Sequence, residues 1–175
     1  MRVKDKDFEI FIERNSILQR VKELARAIEI DYKEKNPLFI CILNGSFIFA
    51  SDLIREISLT SEISFVKLSS YKGLESSGIV KRSSEIENIE GREIIIIEDI
   101  VDTGKTLAYF LEEITALNPQ SIAIASLLFK PEALKNPLKL DYVGFEIPNK
   151  FVIGYGLDYD GRGRNLKDIY QLKEN

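Results

Sequence analysis

Apolar residues along this chain fall into short solid runs, separated by stretches where they recur every three or four positions. Leu38 to Leu43 and Ile94 to Ile97 are uninterrupted runs, as expected of strands buried on both faces. Ile122 to Phe129 reads the same way, Ile63, Phe65 and Leu68 suggest a further strand, and Val143 to Ile147 and Phe151 to Ile153 look like short ones. Between them, Ile17, Leu18, Val21, Leu24, Ala25 and Ile28 line one helical face, behind a capping-box pattern at Ser16-Ile17-Leu18-Gln19. Asn44-Gly45-Ser46 turns the chain into a second helix through Leu53, Ile54 and Ile57, with Ser46 placed to cap it. A third helix carries Leu107, Phe110, Leu111 and Ile114 and stops near Asn118-Pro119. Residues 71 to 84 are polar and contain glycine, which predicts a loop or a pair of mobile strands.

Strands alternating with helices predict an α/β fold, a mainly parallel twisted sheet flanked by helices. In such sheets ligands bind beyond the carboxyl ends of the strands. Leu43, Ser69, Asp99 and Lys130 all fall at such ends. With 175 residues and neither repeat nor linker, the expectation is a single domain, 1–175.

The string Ile94 to Thr106 carries the chemistry. Behind the isoleucines (a strand over Glu93 to Ile97) come Glu98, Asp99 and Asp102, then Thr103-Gly104-Lys105-Thr106 and the third helix. Backbone N–H groups at a helix start form an anion site. A triphosphate-binding loop needs a glycine five residues before its Gly-Lys; that position is Asp99, so the pattern fails. Three acids would also repel a triphosphate lying along the loop. A ribose 5-phosphate suits it better, with Glu98 and Asp99 taking the sugar diol and Thr103, Gly104, Lys105 and Thr106 the single phosphate. The bland alternative is a solvated acidic turn, with Asp102 or Thr103 as helix N-cap.

Composition narrows the chemistry further. The chain has no histidine, which removes Ser-His-Asp and Cys-His nucleophilic machinery and histidine zinc sites. Acid–base work falls to carboxylate, lysine or tyrosine, and a metal would take oxygen ligands, which suits magnesium. The lone Cys41 lies in an apolar run and reads as a core thiol. A net charge of −4 offers no general attraction to nucleic acid, and no apolar run approaches a membrane span. Cytoplasm is the default location.

The acidic string resembles the phosphoribosyl-pyrophosphate (PRPP) loop of the purine phosphoribosyltransferases, above all the hypoxanthine-guanine enzymes. The resemblance runs from about Ile17 to Tyr170 through Leu43-Asn44-Gly45, Ser70-Tyr71, Lys130, and Val143-Gly144-Phe145-Glu146-Ile147-Pro148 on to Asp158 and Arg164. It implies the type I phosphoribosyltransferase fold, with a small hood and a flexible loop near 71–84 that opens with Ser70 and Tyr71 and closes over the reacting centre. It assigns Asn44, Gly45 and Arg164 to pyrophosphate, with Arg162 as a helper, and makes a non-proline cis peptide a familiar feature of the Leu43-Asn44-Gly45 turn. Many relatives carry lysine where this chain has Asn44. Lys130, Phe151, Val152 and Asp158 are assigned to the purine, Lys130 to its six-position oxygen and Phe151 as a stacking ring. Asp158, with Glu98 and Asp99, would hold Mg²⁺.

The implied reaction joins PRPP to a 6-oxopurine and releases pyrophosphate, with Asp102 accepting the proton of the attacking imidazole. The expected partners are these two substrates, with no nucleic acid and no membrane. The resemblance also implies a homodimer or homotetramer, the apolar Phe47-Ile48-Phe49 helix start being one place for a partner to pack. A PRPP-sensing regulator without chemistry, or a phosphoribosyltransferase for xanthine or a pyrimidine, would share the loop. Neither added helix-turn-helix nor basic stripe supports the former.

Overall fold

The computed structural model describes residues 1–70, 80–82 and 88–173. In chain order the elements are β1 (Arg2–Val3), β2 (Lys6–Ile12), α1 (Arg14–Asp31), β3 (Leu38–Leu43), α2 (Phe47–Arg55), β4 (Glu62–Ser70), β5 (Val80–Arg82), β6 (Glu93–Val101), α3 (Lys105–Thr115), β7 (Ser121–Phe129), β8 (Tyr142–Glu146), β9 (Val152–Ile153) and β10 (Ile169–Leu172).

Six strands form the main sheet in the order β5-β4-β3-β6-β7-β8. The five from β4 to β8 run parallel, and β5 pairs antiparallel at the edge. Side chains alternate across the sheet, which divides the core in two. Phe39, Cys41, Ile95 and Ile97 face the buried stripes of α1 and α2. Ile40, Ile42, Ile94 and Ile96 face Leu107, Phe110 and Ile114 of α3. Ile94 to Ile97 of β6 are fully buried, each contributing roughly 1.5–3 kcal/mol. Cys41 is a core thiol, and burial pushes its pKa up to about 12.

The order places β3 beside β6, and their crossovers leave in opposite directions, β3 through α2 to β4 and β6 through α3 to β7. A crevice therefore opens where the carboxyl ends of β3 and β6 meet. A second, antiparallel sheet, β1-β2-β10-β9, forms a small hood around Val3, Phe8 and Ile153.

Several local expectations change. Helix α1 begins at Arg14, not after Ser16, with Glu13 in the cap position and no capping side chain. The Asp168 carboxylate accepts the Arg14 N–H at 2.8 Å, so a distant residue supplies the anion a capping box would have provided. Gln19 instead bonds Glu23 on the helix surface. Ser46 does occupy the cap position of α2, but its side chain makes no capping bond; its buried hydroxyl donates to the Ile42 carbonyl. Strand β6 runs on to Val101, so Glu98 and Asp99 belong to the strand, not to the loop behind it. Phe49, grouped with Phe47 as partner-facing, is fully buried, whereas Phe47 is half exposed. Tyr71 and most of 71–84 lie outside the described residues, while Ser70 closes β4 opposite Val80. Among the described residues no helix is long and apolar enough to cross a membrane.

Candidate active site

The crevice has an acidic floor, a phosphate-sized cup, and two walls. Glu98 and Asp99 follow Ile97, the last β6 residue paired with β3, and form the floor. The Glu98 Oε2 atom is shut off from solvent and has no hydrogen-bond partner. Burial, and then the neighbouring Asp99, hold the Glu98 pKa well above the usual carboxylate range. Burial likewise raises Asp99 to about 6, although backbone N–H groups and the Arg164 guanidinium pull the other way. Two acids held against ionisation form a built-in demand for positive charge.

The cup follows directly. Residues Glu98 and Ile100 to Leu107 line a cavity of about 110 Å³. Gly104 is the cap residue of α3, at φ 73 in the left-handed region. A Cβ there would also come within 2.8 Å of Leu138 and 2.9 Å of Leu134. The turn thus needs glycine, and it delivers the first amides of α3 to the cavity. This cap at Gly104 displaces the Asp102 or Thr103 cap of the bland alternative; the Thr103 hydroxyl accepts from the Lys105 N–H only at 3.5 Å.

One wall is the end of β7. The Lys130 backbone N–H bonds the Val101 carbonyl at 2.9 Å, and its ammonium donates to the Asp102 carboxylate at 3.0 Å. Lys130 is buried, while the Asp102 side chain is 46% exposed. The pair therefore presents a solvent-facing carboxylate backed by a sequestered cation. Beside the hood, Phe151 exposes 44% of its surface and meets Tyr159 edge-on at 5.8 Å and Phe8 at 6.3 Å. The neighbouring Val152 is buried in β9.

The other wall joins the Asn44-Gly45 turn to the segment holding Asp158 and Arg164. The Leu43–Asn44 peptide is cis. Asn44 is exposed, and a Cβ on Gly45 would collide with the Asp99 carboxylate, so the turn lies directly on the acidic floor. Arg164 forms an ion pair with Asp158 at 2.6 Å and donates to the Gly156 carbonyl at 2.7 Å. The other Asp158 oxygen accepts the Gly161 N–H.

Residues 12–160 match the phosphoribosyl transferase domain family. The chain belongs to this family. A hypoxanthine-guanine phosphoribosyltransferase of Streptococcus pyogenes is 44% identical over 167 residues, 94% of this chain and 93% of that protein. That of Streptococcus thermophilus is 42% identical with the same coverage. Among solved structures, a hypoxanthine phosphoribosyltransferase from Staphylococcus aureus superposes with a TM-score of 0.90 at 39% identity, covering 97% of this chain and 93% of that one. The sheet, its flanking helices and the hood are thus the phosphoribosyltransferase architecture.

Within that architecture, Glu98 and Asp102 to Thr106 line one cavity, Lys130 bonds Asp102, and Gly45 lies on Asp99 next to the segment of Asp158 and Arg164, whereas Phe151 and Val152 sit by the hood and Tyr71 is not described. Sequence reasoning missed the contacts that hold them there. Asp168 caps α1, Phe8 and Tyr159 flank the Phe151 ring, and Tyr155 bonds Asp52 of α2. Only the Gly154-Tyr155-Gly156 triplet carried a local signal, an aromatic residue between two glycines.

Proposed function

We propose that this phosphoribosyltransferase moves the 5-phosphoribosyl group of PRPP onto hypoxanthine or guanine, giving IMP or GMP and pyrophosphate, as a cytoplasmic salvage enzyme. The observation that carries the reading is the buried acidic floor, with its unpartnered Glu98 oxygen, adjoining the small cavity that the Thr103 to Thr106 turn helps to line. The names of the relatives at 42–44% identity support the same substrates.

In this reading Thr103 to Thr106 hold the 5-phosphate on the α3 amides, and Glu98 and Asp99 face the ribose diol. Phe151 stacks on the base, the Val152 backbone reads its edge and Lys130 donates to the six-position oxygen. The Asn44-Gly45 turn and Arg164 hold pyrophosphate, Arg164 through a planar guanidinium suited to bidentate contact. The C1′–oxygen bond to pyrophosphate breaks and its electron pair leaves with pyrophosphate, while C1′ bonds a ring nitrogen of the purine. Asp102 takes the proton that the imidazole gives up. Lys130 keeps that carboxylate in place from the protein side. Holding base and sugar in line supplies much of the rate.

Among the described residues no three acidic, cysteine or histidine side chains form a ready-made metal cage. Magnesium does not need one, because it is commonly bound by one or two carboxylates with substrate phosphates. The unpartnered Glu98 oxygen, Asp99 beside it, and Asp158 fit that donor set. There Mg²⁺ would offset the charge of PRPP and of departing pyrophosphate.

The test is turnover of PRPP with a panel of hypoxanthine, guanine, xanthine, orotate and uracil, with products identified by mass. IMP or GMP is expected. Turnover of a pyrimidine alone, or PRPP binding without turnover, would replace this reading with the corresponding alternative.

A further inference from the structure

A side-chain hydrogen bond joins the segment just before Asp158 and Arg164 to helix α2. Tyr155 is only 3% exposed and sits at φ 49, in the left-handed region that a bulky residue rarely enters. Its N–H bonds the Leu166 carbonyl at 2.9 Å, which fixes its backbone. Its phenol crosses to α2 and donates to the Asp52 carboxylate at 2.6 Å. Helix α2 begins two residues after Gly45, so Asp52 stands on the element that continues the pyrophosphate turn.

The next residue makes the same junction through the backbone. A Cβ on Gly156 would collide with the Gly45 carbonyl, so the two main chains touch. The Gly156 N–H donates to the Arg164 carbonyl at 3.0 Å, and its carbonyl accepts from the Arg164 guanidinium. Gly45, Gly156, Arg164 and Asp158 are therefore parts of one junction, and the Tyr155–Asp52 bond spans it.

We propose that Tyr155 and Asp52 are a positioning pair: their hydrogen bond pins the segment bearing Asp158 and Arg164 against the Asn44-Gly45 turn, and so assembles the pyrophosphate side of the crevice. Neither side chain touches substrate. The proposal rests on the PRPP-dependent reading above. It predicts a selective defect, because the 5-phosphate cup on α3 is built without this junction.

The experiment is calorimetric titration of wild type and of Tyr155→Phe, Asp52→Ala, Asp52→Asn and the Tyr155→Phe/Asp52→Ala double variant. Two ligands are used, PRPP with Mg²⁺ and ribose 5-phosphate, which lacks pyrophosphate. Tyr155→Phe and Asp52→Ala should each weaken PRPP roughly tenfold, the order expected for loss of a hydrogen bond to a charged group. Ribose 5-phosphate should stay within about twofold of wild type. The double variant should be no worse than either single one, since both remove the same bond. Asn retains an acceptor oxygen, so Asp52→Asn should bind PRPP nearly as wild type does.

Equal weakening of both ligands would mean general damage and would overturn the proposal. So would unchanged PRPP binding, additive losses, or Asp52→Asn as poor as Asp52→Ala. Should Tyr155→Phe fail to fold, the Ala-against-Asn contrast at Asp52 decides alone. A wild-type protein that does not bind PRPP would instead defeat the functional reading itself, a result distinct from wild-type binding with indifferent variants.

Discussion

At the scale of single residues, Asp102 and Asn44 are the informative positions. Asp102 is exposed enough to meet a substrate, yet held by a buried ammonium at 3.0 Å. Asp102→Asn keeps the shape but loses the ability to accept a proton. We expect turnover to fall by roughly 10²–10⁴-fold, with PRPP affinity within about tenfold of wild type. Retention of more than about half the rate at saturating substrate, with chemistry limiting, would remove Asp102 from the role of base. Asn44 is exposed at the cis turn, so a longer side chain meets no wall. Asn44→Lys should tighten PRPP binding by on the order of 1–3 kcal/mol if the new ammonium reaches pyrophosphate. Weaker binding with the fold intact, read by titration, would reveal a specific contact of the Asn44 amide. The acidic string was legible at this scale because its chemistry is contiguous. The pairs Lys130–Asp102 and Tyr155–Asp52 were not, because 28 and 103 residues separate the partners.

At the scale of elements, legibility followed burial. Strands β3, β6 and β7 each contain an unbroken stretch of buried residues and announce themselves as apolar runs. In β2 only Phe8 is fully buried, so it leaves no periodic trace, whereas the two-residue β9 falls inside the strand expected at Phe151 to Ile153. The start of α1 departs from the local pattern for a related reason: its cap comes from Asp168, and no local pattern encodes that. The strand–turn–helix unit β6–α3 is the element most exposed to a small change. Gly104→Ala would strain a φ of 73 and press a methyl group against Leu134 and Leu138. We expect a loss of roughly 1–3 kcal/mol in stability together with weaker PRPP binding. A denaturant melt and a PRPP titration on the same preparation check both; an unchanged melting midpoint would show that the turn relaxes freely.

For the molecule as a whole, the acidic floor shapes how stability depends on pH. Glu98 and Asp99 have folded-state pKa values above those of ordinary carboxylates, Asp99 at about 6, chiefly through burial. Both groups are neutral in either state at low pH. Above about pH 4 the unfolded chain gives up its protons first, so this contribution to stability fades as pH rises through the folded-state values. Glu98→Gln removes one ionisable group and the repulsion on its neighbour. The ligand-free variant should therefore melt higher than wild type at pH 8, and the difference should shrink toward pH 4. An equal difference at both pH values would mean that the acids do not resist ionisation as described.

The pairing of β2 with β10 sets an order of assembly. Each β-α-β unit of the main sheet closes over a few dozen residues. The hood cannot close until residues 169–172 reach a strand that began at residue 6. During synthesis the β1–β2 hairpin stays without its β10 partner until residue 172 has emerged, and contacts so distant in sequence are slow to form. Phe8, which flanks the Phe151 ring, waits with it. The phosphate cup, made of neighbouring residues on β6 and α3, needs no such delay. During refolding followed by pulsed hydrogen exchange, amides of β6 and α3 should gain protection before those of β2 and β10, so that the nascent protein would grip a sugar phosphate before it has anywhere to seat a base.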